Sequence, residues 1–259
     1  MIYNGDSLEI LKEFKTNSID FIITSPPYAD KRGAVKSEEY LNWFLPISKQ
    51  LLRVLKSDGS FILNIKEGAK NGERLTYVLE LILAMKKQGW FWIEEYIWHK
   101  KNCYPGKWPN RFRDAWERCL HFTKNKKFKM YQDAVMVSSS EATKKRLKNL
   151  KNNDLIRYQH KTKSGMSKNI SNWINRDMVY PTNVLLLATE TGNKKHSAAF
   201  PSELPKWFIK LFTKPDDMVL DPFIGSGTTA QICVKLDRKY LGIEINLDYY
   251  NECLSNLKT

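Results

Sequence analysis

The chain has 259 residues, 42% of them hydrophobic, enough for one large domain, or for one domain carrying an insertion. Lys and Arg number 42 against 28 Asp and Glu, a formal net charge of +14, which favours a polyanionic partner, with nucleic acid ahead of a membrane surface. The four cysteines lie far apart and form no CxxC pair or zinc-type cluster, so neither a metal site nor a disulfide framework is expected.

The first residues, MIYNGDSLEILKEF, lack a basic segment followed by an apolar one, and no apolar run is long enough to cross a bilayer. A reducing cytoplasm is the expected setting. Asp6 stands where it can N-cap a helix over LEILKEF. Residues 19–24 read as a short buried strand that stops at Thr24-Ser25-Pro26-Pro27-Tyr28. Two adjacent prolines cannot continue a ladder of backbone hydrogen bonds, so a rigid turn without donors follows the strand. Residues 29–36 then read as a basic loop.

Residues 38–56 carry Leu41, Phe44, Leu45, Leu51, Leu52 and Leu55 at helical spacing, and Ser57-Asp58-Gly59 is the expected stop. A strand over 60–65, a helix over 74–87 and an aromatic-rich strand over 90–98 follow. Lys107, Arg111, Arg113 and Arg118 are interleaved with Trp108, Phe112 and Trp116, a pattern suited to phosphate contact with stacking. Residues 124–180 are polar and rich in Lys, Asn and Ser. They read either as a solvated surface insertion or as a module that docks on something negatively charged.

Beyond this span the alternation returns. Helices are expected over 203–213, 228–236 and 248–257, with strands over 218–220 and 240–245. Such alternation predicts an α/β domain with a largely parallel sheet. Between strand and helix lies Asp221-Pro222-Phe223-Ile224-Gly225-Ser226-Gly227-Thr228-Thr229. Glycines at this turn let a ligand approach the backbone, and the N–H groups opening the helix suit an anion. Glu244 ends the next strand, 19 positions after Gly225 (244 − 225). That is close to the spacing of about 20 at which an acid grips ribose hydroxyls. No Gly-Lys-Ser/Thr follows, so this is not a P-loop, and it is not a full GxGxxG. A nucleoside bearing one carboxylate fits.

TSPPY together with DPFIGSGTT resembles the S-adenosylmethionine-dependent DNA methyltransferases that modify exocyclic amino groups. The catalytic motif precedes the cofactor motif, as in the family's permuted beta class. The resemblance covers most of the chain. It implies a circularly permuted Rossmann-like α/β fold with a mostly parallel central sheet and an inserted target-recognition region. The implied parts are a catalytic half at 1–123, recognition at 124–180 and a cofactor half at 181–259. A bacterial or archaeal cell is the implied host and double-stranded DNA the implied partner, without a membrane. A cognate restriction endonuclease, and monomer or homodimer, stay open.

The resemblance implies catalytic roles for Ser25, Pro26, Pro27 and Tyr28. It implies S-adenosylmethionine contacts, and no metal, at Asp6, Thr24, His196, Phe200, Pro201, Asp221, Pro222, Phe223, Gly225, Ser226, Gly227, Thr228, Thr229 and Glu244. Asp6 then reaches the adenine or serves only as a cap, and Phe223 faces the sulfonium or fills core. His196 is read as a hydrogen-bonding residue without a proton-transfer role. DNA contacts are expected from Lys31, Arg32, Lys107, Arg111, Arg113, Lys144, Lys145, Arg146 and Lys148.

An exocyclic amine is a poor nucleophile, because its lone pair is spread into the ring. The Ser25 hydroxyl and the Pro26 carbonyl are the two acceptors expected to receive its hydrogens, with Tyr28 stacking on the flipped base. Family members with Ser before Pro-Pro-Tyr most often modify cytosine, so N4-methylcytosine is favoured, with N6-methyladenine as the alternative. A non-catalytic DNA-binding protein, or methylation of RNA or protein glutamine, are the remoter readings.

Overall fold

A computed structural model describes residues 1–30, 35–103, 105–106, 109–149, 177–189 and 200–258. Eight strands form the main sheet: β1 (Ile2–Asn4), β2 (Ile19–Thr24), β3 (Leu55–Ile65), β4 (Phe91–Lys100), β5 (Trp116–Thr123), β6 (Val184–Leu187), β7 (Met218–Asp221) and β8 (Lys239–Glu244). Their spatial order is β1-β8-β7-β2-β3-β5-β4-β6. The first five in that order are parallel. β5 runs antiparallel to both its neighbours, and β6 lies parallel to β4. The helices are α1 (Ser7–Glu13), α2 (Tyr40–Val54), α3 (Tyr77–Lys87), α4 (Glu141–Lys148), α5 (Glu203–Phe212), α6 (Thr228–Lys235) and α7 (Leu247–Asn256). The mixed, mostly parallel α/β architecture is the Rossmann-like fold expected of the chain.

Every residue of β2 is buried, as required of a parallel strand covered on both faces. Successive side chains point to opposite faces. Ile22 joins Leu11, Phe44, Leu51, Val78 and Leu81 in the core under α1, α2 and α3. Its neighbour Phe21 stacks on Phe212 of α5, with ring centroids 5.5 Å apart. Each such side chain contributes about 1.5–3 kcal/mol relative to exposure.

Three local expectations are corrected. Gly59 does not stop a helix. α2 ends at Val54, and Lys56–Gly59 bulge from β3 opposite Asp20, since Ile19 pairs with Leu55 and Phe21 with Ser60. A Cβ at Gly59 would sit 2.6 Å from the Asp20 carbonyl, so close passage is what requires glycine. Arg74 lies outside α3. It closes a small hairpin, Ala69–Lys70 with Glu73–Arg74, whose Asn71-Gly72 turn has φ of 52° and 85° at its two positions. Short β1 and β6 carry no periodic signal.

Two compact units are present: Met1–Tyr131 with Asn183–Thr259, and Gln132–Thr182. Residues 124–131 stay with the first because Lys129 donates its N–H to Asp58 O at 2.9 Å and its ammonium lies 3.1 Å from the Asp58 carboxylate. The second carries α4 and a ladder of Val137–Ser138 with Met178–Val179. Among the described residues no helix is long and apolar enough to cross a membrane.

Parallel register places Leu220 beside Ile22 and Asp221 beside Gly242. The carboxyl ends of β2, β7 and β8 therefore open on one edge of the sheet, where ligands bind in open α/β folds.

Candidate active site

Asp221, the last residue of β7, joins the two sequence motifs. Its Oδ1 accepts from the Thr24 hydroxyl at 2.6 Å and from the Phe223 N–H at 3.1 Å, and its Oδ2 accepts from the Thr229 hydroxyl at 2.6 Å. Asp221 and Thr229 are each 2% exposed and Thr24 is fully buried. Burial pushes the Asp221 carboxyl up to about 6, against the pull of its three donors. These three side chains, expected to face a cofactor, are turned inward and locked to one another. They fix the end of β2 to the start of α6.

The glycine turn follows. Gly225 and Gly227 have φ of 53° and 94°, conformations that favour glycine. Glu244 accepts from the Gly225 N–H at 3.0 Å through Oε2 and from the Asn246 N–H at 2.8 Å through Oε1. Asn256 of α7 donates to Ser226 O at 3.0 Å. A Cβ at Gly227 would meet Cys253 Sγ at 2.6 Å, whereas one at Gly225 would meet nothing within 4 Å. The turn is thus supported by α7 and open beside Gly225. Pro222 and Ser226 are buried, while Phe223 and Thr228 are partly exposed. The Phe223 ring packs near Trp43 and Phe44, at 5.6 and 6.4 Å between centroids.

At the end of β2, Ser25 is partly exposed, Pro26 buried and Pro27 exposed. Tyr40 donates its hydroxyl to Pro27 O at 3.0 Å, holding the diproline turn onto α2. The Ser25 hydroxyl donates to Tyr28 Oη at 3.3 Å, and Tyr28 donates to Glu117 Oε2 at 2.6 Å. Asn64 Nδ2 donates to the same Glu117 oxygen at 3.1 Å, and Lys100 pairs with Glu117 Oε1 at 2.6 Å. Burial, then the Glu117 charge, hold the Tyr28 phenol well above its ordinary range.

Asp6 is the N-cap of α1, with Oδ1 accepting from Leu8 and Glu9 N–H at 2.8 and 3.2 Å, and it remains exposed at the carboxyl end of β1. Phe200 and Pro201 are buried or partly buried just before α5. Lys31, Arg32, Lys107 and His196 lie outside the described residues. Phe112 is fully exposed between Arg111, which is partly buried, and exposed Arg113. Arg118 and Trp116 are corrected as nucleic-acid contacts: Arg118 is paired with Glu95 and Glu67, and Lys66 lies 3.9 Å from the Trp116 ring centre. On α4, Lys145, Arg146 and Lys148 are exposed, and Lys144 pairs with Glu141 at 3.0 Å.

Residues 19–255 match the family model described as DNA methylase. The chain belongs to the DNA methylase family. It is a DNA methyltransferase similar to the Type II methyltransferase M.PvuII of Proteus hauseri, with 30% identity across 96% of this chain and 80% of that protein. It is also 27% identical to the DNA adenine methyltransferase YhdJ of Escherichia coli strain K12, across 99% of this chain and 82% of that protein. The solved PvuII DNA methyltransferase (cytosine-N4-specific) superposes with a TM-score of 0.72 at 26% identity, covering 98% of this chain and 84% of that one. A DNA modification methylase of Thermus thermophilus, TTHA0409, complexed with S-adenosyl-L-methionine, shares the fold, with a TM-score of 0.66 at 21% identity over 98% and 91% of the two chains.

Glu117, Asn64 and Lys100 do not stand out as site residues in the sequence. They sit on β5, β3 and β4, far from TSPPY in the chain, and antiparallel pairing brings them to Tyr28. The usable signal is a charged residue between buried neighbours in WERCLHF: Glu117 is only 8% exposed.

Proposed function

We propose that this DNA methyltransferase moves the methyl group of S-adenosylmethionine to N4 of a cytosine flipped out of a short double-stranded motif. The observation that carries the reading is the Thr24–Asp221 hydrogen bond of 2.6 Å, which holds the Ser25 turn and the glycine turn at one sheet edge. The residues present fit the cofactor. Space beside Gly225 is open, the Glu244 carboxylate stands at the carboxyl end of β8, and exposed Asp6 stands just beyond β1. Glu244 takes the ribose hydroxyls, the Gly225–Thr228 turn and Phe223 line the approach, and Phe200 and Pro201 flank it.

The bound cofactor supplies a methyl group on a sulfonium. Ser25 Oγ accepts one amine hydrogen and the Pro26 carbonyl, aimed by fixed proline dihedrals, accepts the other. No base is needed before attack, because the nitrogen turns strongly acidic once methylated. Positioning dominates the rate. Serine before the diproline favours cytosine, and M.PvuII, the relative with a cytosine-N4-specific solved structure, supports that choice. YhdJ, an adenine enzyme, keeps N6 of adenine as the second reading. Nucleoside mass spectrometry of methylated DNA is the test: N4-methylcytosine is the expected product, and N6-methyladenine alone would overturn the base assignment.

Replacing Glu244 with Ala removes a charge-assisted contact to ribose and two backbone acceptors of the turn. Calorimetry should show cofactor affinity weakened about tenfold or more. Unchanged affinity would remove Glu244 from the site.

The unit 132–182 is the target-recognition part in this reading. Neutralising Lys144, Lys145, Arg146 and Lys148 together should weaken DNA binding and lower the slope of log affinity against log salt by about 0.9 for each phosphate no longer neutralised. An unchanged slope would make α4 only a solvated face.

A further inference from the structure

We propose that Glu117 is a positioning residue for methyl transfer: its carboxylate fixes the direction of a hydrogen-bond chain from Ser25 through Tyr28, leaving the Ser25 lone pairs turned to the amine. The inference rests on the reading above, in which Ser25 accepts an amine hydrogen. A serine hydroxyl can donate or accept, and at this site donation toward the amine would be unproductive. Something must direct its proton elsewhere.

The geometry supplies the device. Ionised Glu117 only accepts. Oε1 is occupied by Lys100 at 2.6 Å, and Oε2 receives Tyr28 at 2.6 Å and Asn64 at 3.1 Å. A short bond to a buried anion is the strongest acceptor on offer, so it takes the phenol proton. The other acceptor within reach, Asn64 Oδ1, is 3.4 Å away. With its proton committed to Glu117, Tyr28 Oη offers only lone pairs to its remaining neighbour. Ser25, 3.3 Å away, therefore donates into the chain. Asn64 cannot invert the arrangement by turning its amide, because Nδ2 is also held by Arg118 O at 3.0 Å. Lys100 cannot either, because an ammonium has no lone pair.

The same constraints predict what an isosteric change does. In Glu117→Gln the amide must point its oxygen at Lys100 and therefore its NH2 at Tyr28. The phenol now accepts from residue 117 and donates to Ser25 or Asn64, and a fraction of molecules present the Ser25 proton to the amine.

The experiment measures kcat, KM for cofactor and the Tyr28 Cζ resonance in protein carrying 13C-labelled tyrosine, the peak being assigned by its loss in Tyr28→Phe. Glu117→Gln should lower kcat about tenfold with cofactor KM unchanged, and should move the Tyr28 resonance. Adding Lys100→Met lets the amide turn its oxygen toward Tyr28 and should restore much of kcat. In a Tyr28→Phe background, Glu117→Gln should cost nothing further, because the chain is already cut. An equal loss with and without the Tyr28 hydroxyl would overturn the proposal, as would an unmoved resonance or wild-type turnover in Glu117→Gln. Each of those results leaves the methyltransferase reading standing, whereas a wild-type protein that methylates no DNA would sink that reading alone.

Discussion

Replacing Ser25 with Ala is expected to lower the rate of methyl transfer by about two to three orders of magnitude, the size typical of removing one preorganised polar group aimed at a reacting centre. The substitution removes an acceptor without touching the pin between Thr24 and Asp221, so the cofactor side of the site stays assembled. Cofactor affinity by calorimetry should be unchanged within a factor of about two, a few tenths of a kcal/mol. Single-turnover kinetics with prebound DNA isolates the transfer step. A fully active Ser25→Ala would remove the hydroxyl from the chemistry and pass the accepting role to the Pro26 carbonyl. A protein that loses cofactor binding instead would show that Ser25 holds the turn rather than the amine.

Asp221→Ala is expected to destabilise the fold, on the order of 3 kcal/mol. It leaves two buried hydroxyls and the Phe223 N–H without their acceptor, at roughly 1–3 kcal/mol each before relaxation. Asp221→Asn is milder, since an amide can still accept from one threonine and donate to the other. The pH dependence separates the two effects. Burial holds the Asp221 carboxyl at about 6, above its ordinary value of 3.8, so the folded protein binds the proton more tightly than the unfolded chain. This group's contribution is fully present below about 4 and is lost as pH rises through about 6. Between pH 7 and pH 5 the stability of the wild type relative to Asp221→Asn should therefore rise by about 1 kcal/mol. Urea unfolding of both proteins at the two pH values measures it, and a constant difference would mean that Asp221 does not titrate in this range.

The sheet strands with a clean buried run are legible in the sequence. β2 takes its expected limits because IDFIIT is buried on both faces and stops at a diproline. The glycine turn is legible for a similar reason: strand, two glycines and helix are contiguous in the chain. What escapes is of two kinds. Gly59 and Asn71-Gly72 mislead because a glycine after a helical pattern reads as a stop, while close passage by Asp20 and a tight hairpin are tertiary or short-range facts that periodicity does not carry. The Tyr28–Glu117–Lys100 cluster escapes because its members come from three different stretches of chain, and only the antiparallel register of β3, β5 and β4 makes them neighbours. The buried Thr24–Asp221–Thr229 triple shows a third case. The sequence marks these residues as a group, and only burial shows that their side chains bind one another.

The contact between Gly227 and Cys253 gives the protein an internal reporter. The Cys253 thiol is fully buried, with its pKa pushed up to about 12 by burial, so it reacts with a thiol reagent only in molecules whose last helix has locally opened. That opening uncovers the underside of the glycine turn. A ligand that binds the closed turn and not the open one must, by mass action, lower the open population and slow the labelling of Cys253. The rate at which this one sulfur is modified thus reads the occupancy of the opposite surface of the turn, and ties the breathing of the C-terminal helix to the ligand concentration.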